Sequence, residues 1–237
     1  MSTPSPPGFR SHVVPYLTRA AHFSSPFITT FLLIHLTAPA LASLGGSSLA
    51  SQTMLLGREY YQTPFGEKYL VLGPIAIHTV SATLKRLFKP SRRFTSLLTL
   101  TGYATMLFLL PTHYLLHRVT PASTTPPISE LGPSELDYEF VKYGVQTWPG
   151  RSTLLYGGLV LCVGLHAVDG MALVWNTYMK DRITNASRNL RIGGMVAGMV
   201  APVMAGLFAL WAEPSFAFPQ MAKRFESVFA TSIFYRV

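Results

Sequence analysis

The stretch "GGMVAGMVAPVMAGLFALW", residues 193–211, decides the fold class. A helix over these residues has no polar face to turn toward water, so the surface of a soluble bundle cannot take it. A bilayer core about 30 Å thick can, because roughly 20 apolar residues cross it as a helix. Four more stretches of the same kind lie around it. The candidate crossings are Pro26–Leu44, Tyr69–Phe88, Thr95–His117, Ser152–Trp175 and Arg191–Ala212. The second is the least apolar, since Lys85 and Arg86 enter it, but long side chains at a helix end can carry their charges to the headgroups. Composition agrees, with a mean hydropathy of +0.32 and only 12% charged residues. The expectation is an all-α, polytopic membrane protein with five transmembrane helices.

Outside residues 26–212, two segments flank the membrane domain. Residues 1–25 contain Pro4, Pro6, Pro7 and Pro15 and read as an unstructured tail. They lack the small-residue cleavage pattern of a signal peptide, and the prolines would interrupt an amphipathic presequence helix. Residues 213–237 form a C-terminal amphipathic segment, with Phe218, Met221, Phe225, Val228 and Phe229 at helical spacing. That helix either lies on the membrane surface or packs on the bundle. The single cysteine, Cys162, is inside an apolar stretch, so the chain has no internal disulfide framework.

Charge orients the crossings. With five of them the termini lie on opposite sides. The N-terminal side carries Arg10, Arg19, the run "KRLFKPSRR" (residues 85–93), Lys180, Arg182, Arg188 and Arg191, opposed only by Asp181. The other side balances its basic residues with Glu130, Glu135, Asp137 and Glu139, among other acids. Loop lysines and arginines favour the cytosolic side, which predicts a cytosolic N-terminus. The basic run either fixes topology alone or rests on anionic headgroups. The net charge of +9 therefore speaks for orientation. Nucleic-acid binding is not expected, because no recognition module accompanies the charge.

A weak internal repeat is present. "TPFGEKYLVLGPIAIHTVSATLKR" from Thr63 and "TWPGRSTLLYGGLVLCVGLHAVDGMALVW" from Thr147 each open with a threonine, a proline and a glycine. Each then runs into an apolar helix with a central histidine, His78 or His166. The second glycine-to-histidine interval is longer by about one helical turn. A helix with its own histidine precedes each, His35 in "FLLIHLTAP" and His113 in "FLLPTHYLLHR". The chain thus reads as two repeated helix pairs with a fifth helix added.

At 1.5 Å rise per residue, His78, His166 and His35 each lie roughly 14 to 20 Å from the cytosolic end of their helices. By the same measure His113 lies about 27 Å away, with His117 at the far boundary. Each imidazole could simply bond across helices to a carbonyl or to Thr37, Thr79, Ser81 or Asp169. Taken together, two neutral imidazoles at one depth on facing helices can ligate one haem iron. The second ring nitrogen of each would then be oriented by a hydrogen bond. On this reading the ligands of a haem b are His78 and His166, with His35 and His113 as further candidates. Small residues nearby, among them Gly73, Ala82, Gly164 and Gly170, leave room for a macrocycle and equally permit close helix packing. Zinc is less suited, because no cysteine or carboxylate cluster has ligand spacing. His166 with Asp169 could instead form part of a proton or ion path, or Asp169 could neutralise a basic group on another helix.

No phosphate loop, nucleophile elbow or paired carboxylate set is present, so the chain reads as a non-enzyme. Tyr60, Tyr61, Trp148 and Trp211 fall near predicted helix ends as interfacial anchors. Thr79, Ser81 and Asp169 could line a groove for lipid scrambling, or bond across helices.

At "GREYYQTPFGEKYLVLGPIAIHTVSATLKR", with "HLTAPALASLGG" and "GLHAVDGMALVW", the chain resembles a fungal family of five-helix mitochondrial outer-membrane proteins. These recruit the vacuolar protein sorting bridge-like lipid transfer protein. The resemblance covers roughly residues 25–212. It implies a mitochondrial outer-membrane location, a role at vacuole–mitochondrion contacts and a part in lipid homeostasis. In that family a proline-x-proline motif in the cytosolic tail engages the lipid transfer protein, and here the match is Pro4-Ser5-Pro6. The chain is more distantly similar to the cytochrome b membrane anchors of succinate dehydrogenase and fumarate reductase, where a histidine four residues before a glycine binds haem. His166 with Gly170 matches that motif, and His78 with Ala82 matches it with the glycine replaced. His35 in "HLTAP" resembles the first-helix histidine motif of those anchors, with Leu36 where an arginine usually follows. This second likeness implies a haem-binding redox protein as an alternative function.

Overall fold

A computed structural model describes residues 9–88, 96–179 and 186–236, and among these every regular element is helical. The elements are α1 (Phe9–Tyr61), α2 (Gly73–Phe88), α3 (Leu97–Ala104), α4 (Leu110–Tyr114), α5 (Tyr138–Thr147), α6 (Pro149–Tyr178), α7 (Arg188–Met195), α8 (Ala201–Ala212) and α9 (Pro219–Phe229). Among the described residues three helical runs are long and apolar enough to cross a membrane: His12–Tyr61, Pro149–Tyr178 and Arg188–Ala212. At most 22% of each run's most apolar window is buried inside the protein. Apolar helices whose surfaces stay uncovered are consistent with a membrane protein.

The other two expected crossings are helical but do not persist as single α-helices. Gly66–Leu72 is π-helical ahead of α2, and Thr105–Leu109 and Leu115–Val119 are π-helical on either side of α4. The physical cause is proline. Each π segment ends two residues before a proline: Leu72 before Gly73-Pro74, Leu109 before Leu110-Pro111, Val119 before Thr120-Pro121 and, in the last apolar run, Val200 before Ala201-Pro202. The residue before the proline donates five residues back, Gly73 to Lys68, Leu110 to Thr105, Thr120 to Leu115 and Ala201 to Val196. A proline ring collides with the carbonyl four residues before it, and widening the preceding turn relieves that collision.

Two segments differ from expectation. Residues 9–25, expected to be unstructured, are helical as the start of α1. The chain repairs the hydrogen bond that Pro26 cannot make: Ser25 Oγ donates to the His22 carbonyl at 2.7 Å, where the Pro26 N–H would have pointed. Near the other end α1 breaks at Gly45 (φ −143°) and Gly46 (φ 61°), immediately after the expected end of the first crossing at Leu44.

The chain divides into two compact units. The first comprises residues 1–34 and 57–96, and the second residues 35–56 and 97–237. In the first, Tyr61 is buried edge-on against Phe31, with ring centroids 5.5 Å apart, so it is a core residue where an interfacial anchor was expected. Thr63 Oγ1 accepts from the Gly66 N–H and so starts the helical run through residues 66–88.

In the second unit α6 is the central strut, packed against α3, α5, α7 and α8. One core joins Ala38, Ala42 and Ala50 of α1 to Val145 of α5, Val160 of α6 and Val203, Leu207 and Leu210 of α8. Gly206 on α8 faces the Pro39 carbonyl of α1 so closely that a Cβ has no room, which lets the two backbones meet. A second core forms a cap from Leu116, Leu131, Phe140, Phe225, Phe229 and Tyr235. Here α9 turns Phe225, Val228 and Phe229 inward, so the C-terminal helix is packed on the bundle. Trp148, another expected anchor, lies in this cap with its ring 5.3 Å from those of Phe229 and Tyr235.

Candidate functional site

The histidines expected to carry function occupy three environments. His78, in the first unit, is half-buried on α2, and its Nδ1 lies 2.9 Å from the Ala21 carbonyl and 3.3 Å from Ser24 Oγ. His166, in the second unit, is half-buried on α6 with Nδ1 3.0 Å from the Leu98 carbonyl of α3. In both, a carbonyl partner requires the proton on Nδ1, which makes Nε2 the basic nitrogen. Gly102 is what admits the second contact. A Cβ there would lie 2.9 Å from the His166 Nδ1 and Cε1 atoms, so only glycine lets α3 approach the ring.

This bonding pattern suits either of two roles. It is the interhelical bond that settles a buried imidazole. It is also the outer hydrogen bond that orients a histidine ligating iron through Nε2. By donor chemistry His78 and His166 could each hold a haem iron through Nε2.

His35 and His113 differ. Sequence depth separates them, whereas the structure brings their rings to 5.8 Å, edge to face, in the second unit. Sequence places the start of the first apolar helix at Pro26, but α1 starts at Phe9, and the π turns shift the register of residues 97–119. His117 stacks one turn on, 4.5 Å from His113, and its Nε2 lies 3.1 Å from the Tyr156 hydroxyl. His113 Nδ1 is buried without a hydrogen-bond partner among the described residues. Beside it a cavity of about 10 Å³ is lined by Thr112, His113, His117, Tyr156 and Tyr235 together with three leucines. That is the space of a single water, far smaller than a macrocycle. No group of three or more histidine, cysteine or acidic side chains is placed to hold a metal ion among the described residues.

Asp169 has a settled partner. It accepts from Arg188 Nε at 2.9 Å and from Nη2 at 3.2 Å, the fork arrangement of a bidentate pair between α6 and α7. This is the neutralisation of a basic group that the sequence allowed. Gly164, one of the small residues near His166, is filled by Met195, whose Sδ lies 2.5 Å from where a Cβ would stand. Its smallness thus serves helix packing. Pro4 and Pro6 lie outside the described residues, as do Lys89, Arg92, Arg93, Lys180 and Arg182.

One polar centre escapes sequence reasoning altogether. Lys142 on α5 is fully buried, with Nζ 2.6 Å from Glu139 Oε1, 3.4 Å from Glu213 Oε2 and 2.9 Å from the Pro214 carbonyl. Glu213 also accepts from the Ser47 N–H at 3.0 Å, the first donor after the Gly45–Gly46 break in α1. A carboxylate there faces the positive end of the helix that restarts. Gln146 completes the cluster by donating to the carbonyls of Leu210, Trp211 and Glu213, which lack partners at the end of α8. The only signal in the sequence was a lysine in the amphipathic segment "YEFVKYGVQT", which reads as surface.

No family model, curated protein or solved structure matches this chain.

Proposed function

We propose that the protein is a five-crossing adaptor of the mitochondrial outer membrane, recruiting a bridge-like lipid transfer protein at vacuole–mitochondrion contacts and supporting mitochondrial lipid homeostasis. The observation that carries this reading is the resemblance over roughly residues 25–212, at the quoted motifs. Five crossings are supported by two further helical runs. Residues 66–88 and 97–119 are helical without interruption, and at about 1.5 Å per residue each run is long enough for a core of about 30 Å. With five crossings the basic residues of the loops fall on the side of the N-terminus, in keeping with a cytosolic tail. Pro4 and Pro6 are the residues that engage the partner. Co-precipitation of the lipid transfer protein with the wild type and with the Pro4→Ala/Pro6→Ala variant tests this. Loss of binding in the variant is expected, and undiminished binding removes the tail motif from the account.

Bound b-type haem is a second element of the reading, supported by the carbonyl-held Nδ1 atoms of His78 and His166. Haem when bound supplies one-electron chemistry or a rigid structural plug, and the histidines' part is to present Nε2 in a fixed orientation. An absorption spectrum of protein expressed with supplemented haem decides. A Soret band lost separately in His78→Ala and in His166→Ala assigns the ligands, and no band at all removes haem.

A further inference from the structure

The C-terminal cap leaves large apolar side chains out of its own core. Phe216 and Phe218 before α9 are 68% and 81% exposed, and Ile233 and Phe234 after it are 74% and 40% exposed. Burying one such side chain is worth roughly 1.5–3 kcal/mol. A folded cap that exposes four of them, while packing Phe225, Val228 and Phe229 completely, has a second surface to satisfy.

Their placement identifies that surface. Phe216 and Phe218 follow the exposed Phe208 and Trp211 of α8 in the chain; the rings of Phe208 and Trp211 lie 5.7 Å apart, and the Phe216 ring has the buried Lys142 Nζ 4.8 Å from its centroid while staying exposed elsewhere. Ile233 and Phe234 lie beside the start of α6, where Arg151 donates to the Arg236 carbonyl at 3.2 Å. The end of α8 and the start of α6 are at one level, because the end of α5 is tied to both. Gln146 bonds the last carbonyls of α8, and Ser152 of α6 donates to the Gly144 carbonyl at 2.7 Å. Two exposed apolar edges therefore flank the cap at the level where two apolar helices end. Arg151 and Arg236 stand beside the second edge, as cations do among headgroup phosphates.

We propose that the cap is seated in the headgroup layer of the bilayer, with Phe216 and Phe218 inserted at one edge and Ile233 and Phe234 at the other. The ligand of this surface is lipid, continuous with the lipid around α6 and α8. The helix α9 itself stays on the protein, and the segments flanking it make the membrane contact. This inference rests on α6 and α8 crossing a membrane and is independent of the adaptor role.

Nitroxide labels on the full chain in phosphatidylcholine–phosphatidylinositol vesicles test it. In a Cys162→Ala background the labelled variants are Phe208→Cys, Phe218→Cys, Lys223→Cys and Ile233→Cys, with Lys223 as an exposed polar site on α9. Collision with oxygen is compared with collision with a water-soluble nickel chelate. The labels at 218 and 233 are expected to favour oxygen by at least about twofold over the label at 223, with 208 higher still. Aqueous values at 218 and 233 with a lipid value at 208 overturn the proposal. An aqueous value at 208 as well means that α8 does not cross the bilayer, a failure of the membrane reading beneath it. Spin–spin broadening at 218 or 233 that disappears on dilution with unlabelled protein assigns the edge to a second copy and also overturns the proposal.

Discussion

Lys142 Nζ lies 2.6 Å from Glu139 Oε1, one turn earlier on α5, and the lysine side chain has no solvent exposure. Glu139 and Glu213 keep only 19% and 26% of their side-chain surface, so removing the ammonium leaves two poorly solvated carboxylates facing each other. Lys142→Met should cost about 3 kcal/mol. It should be seen as a lowered unfolding midpoint of the detergent-solubilised protein. Adding Glu213→Gln to that variant should recover part of the loss, because one unpaired charge disappears; an additive double variant would contradict the coupling.

Gly46 sits at φ 61° and ψ −157°, and a Cβ there would lie 2.6 Å from Glu213 Oε1. That backbone region is closed to residues with a side chain at a cost of about 1–3 kcal/mol. Gly46→Ala should be destabilising by at least that amount, since the carboxylate must also move. Gly45→Ala lacks the φ penalty, because Gly45 has negative φ, but its Cβ would stand 2.6 Å from the Leu49 Cβ, so the restarting helix must shift there too. A Gly46→Ala midpoint equal to that of the wild type would count against the hinge geometry.

The cap should lose stability in acid through Glu135. Hydrogen bonds from the Arg224 side chain and the Gly132 N–H hold its carboxyl below the usual carboxylate value of 4.5. A carboxylate favoured in the fold contributes stability above its unfolded value, and that contribution disappears as pH falls through the folded value. Thermal midpoints of wild type and Glu135→Gln should differ most near neutral pH and converge once pH has fallen through the lowered folded value. Asp137 works in the opposite sense. Burial raises its carboxyl, outweighing the Glu139 N–H that it caps, so its ionisation opposes folding above the unfolded value.

Gly102→Ala should displace the His166 ring, because the added Cβ would stand 2.9 Å from Nδ1. The bond to the Leu98 carbonyl would lengthen, at a cost of about 1 kcal/mol for a neutral hydrogen bond. If His166 ligates haem, the same variant should weaken or shift the Soret band. A spectrum unchanged by Gly102→Ala would separate this contact from any haem role.

Much of the local structure was legible in the residues. The break after Leu44 follows from the glycine pair, and both Thr-Pro-Gly turns open helices because proline suits a helix start and threonine can cap one. The π turns were also written in the chain, at Pro74, Pro111, Pro121 and Pro202. Reading them required treating each proline as a distortion of the turn before it, not as a helix end. The helical start at Phe9 is hidden in the sequence because Pro15 and Pro26 look like breakers. A neighbouring serine hydroxyl satisfies the freed carbonyl at Pro26, a local detail that spacing does not reveal.

What the sequence determined by itself is the all-helical character and the apolar surfaces, since each depends on which residues a single helix carries. Tertiary structure decided which polar groups meet. His166 reaches the Leu98 carbonyl only because Gly102 stands on the facing helix. Lys142 is buried because Glu139, Glu213 and Pro214 close over it, and His113 meets His35 through the packing of the second unit. Apart from the Lys142–Glu139 pair on α5, these are contacts between residues far apart in the chain. Their cost or benefit is set by removal from water, which no helical periodicity records.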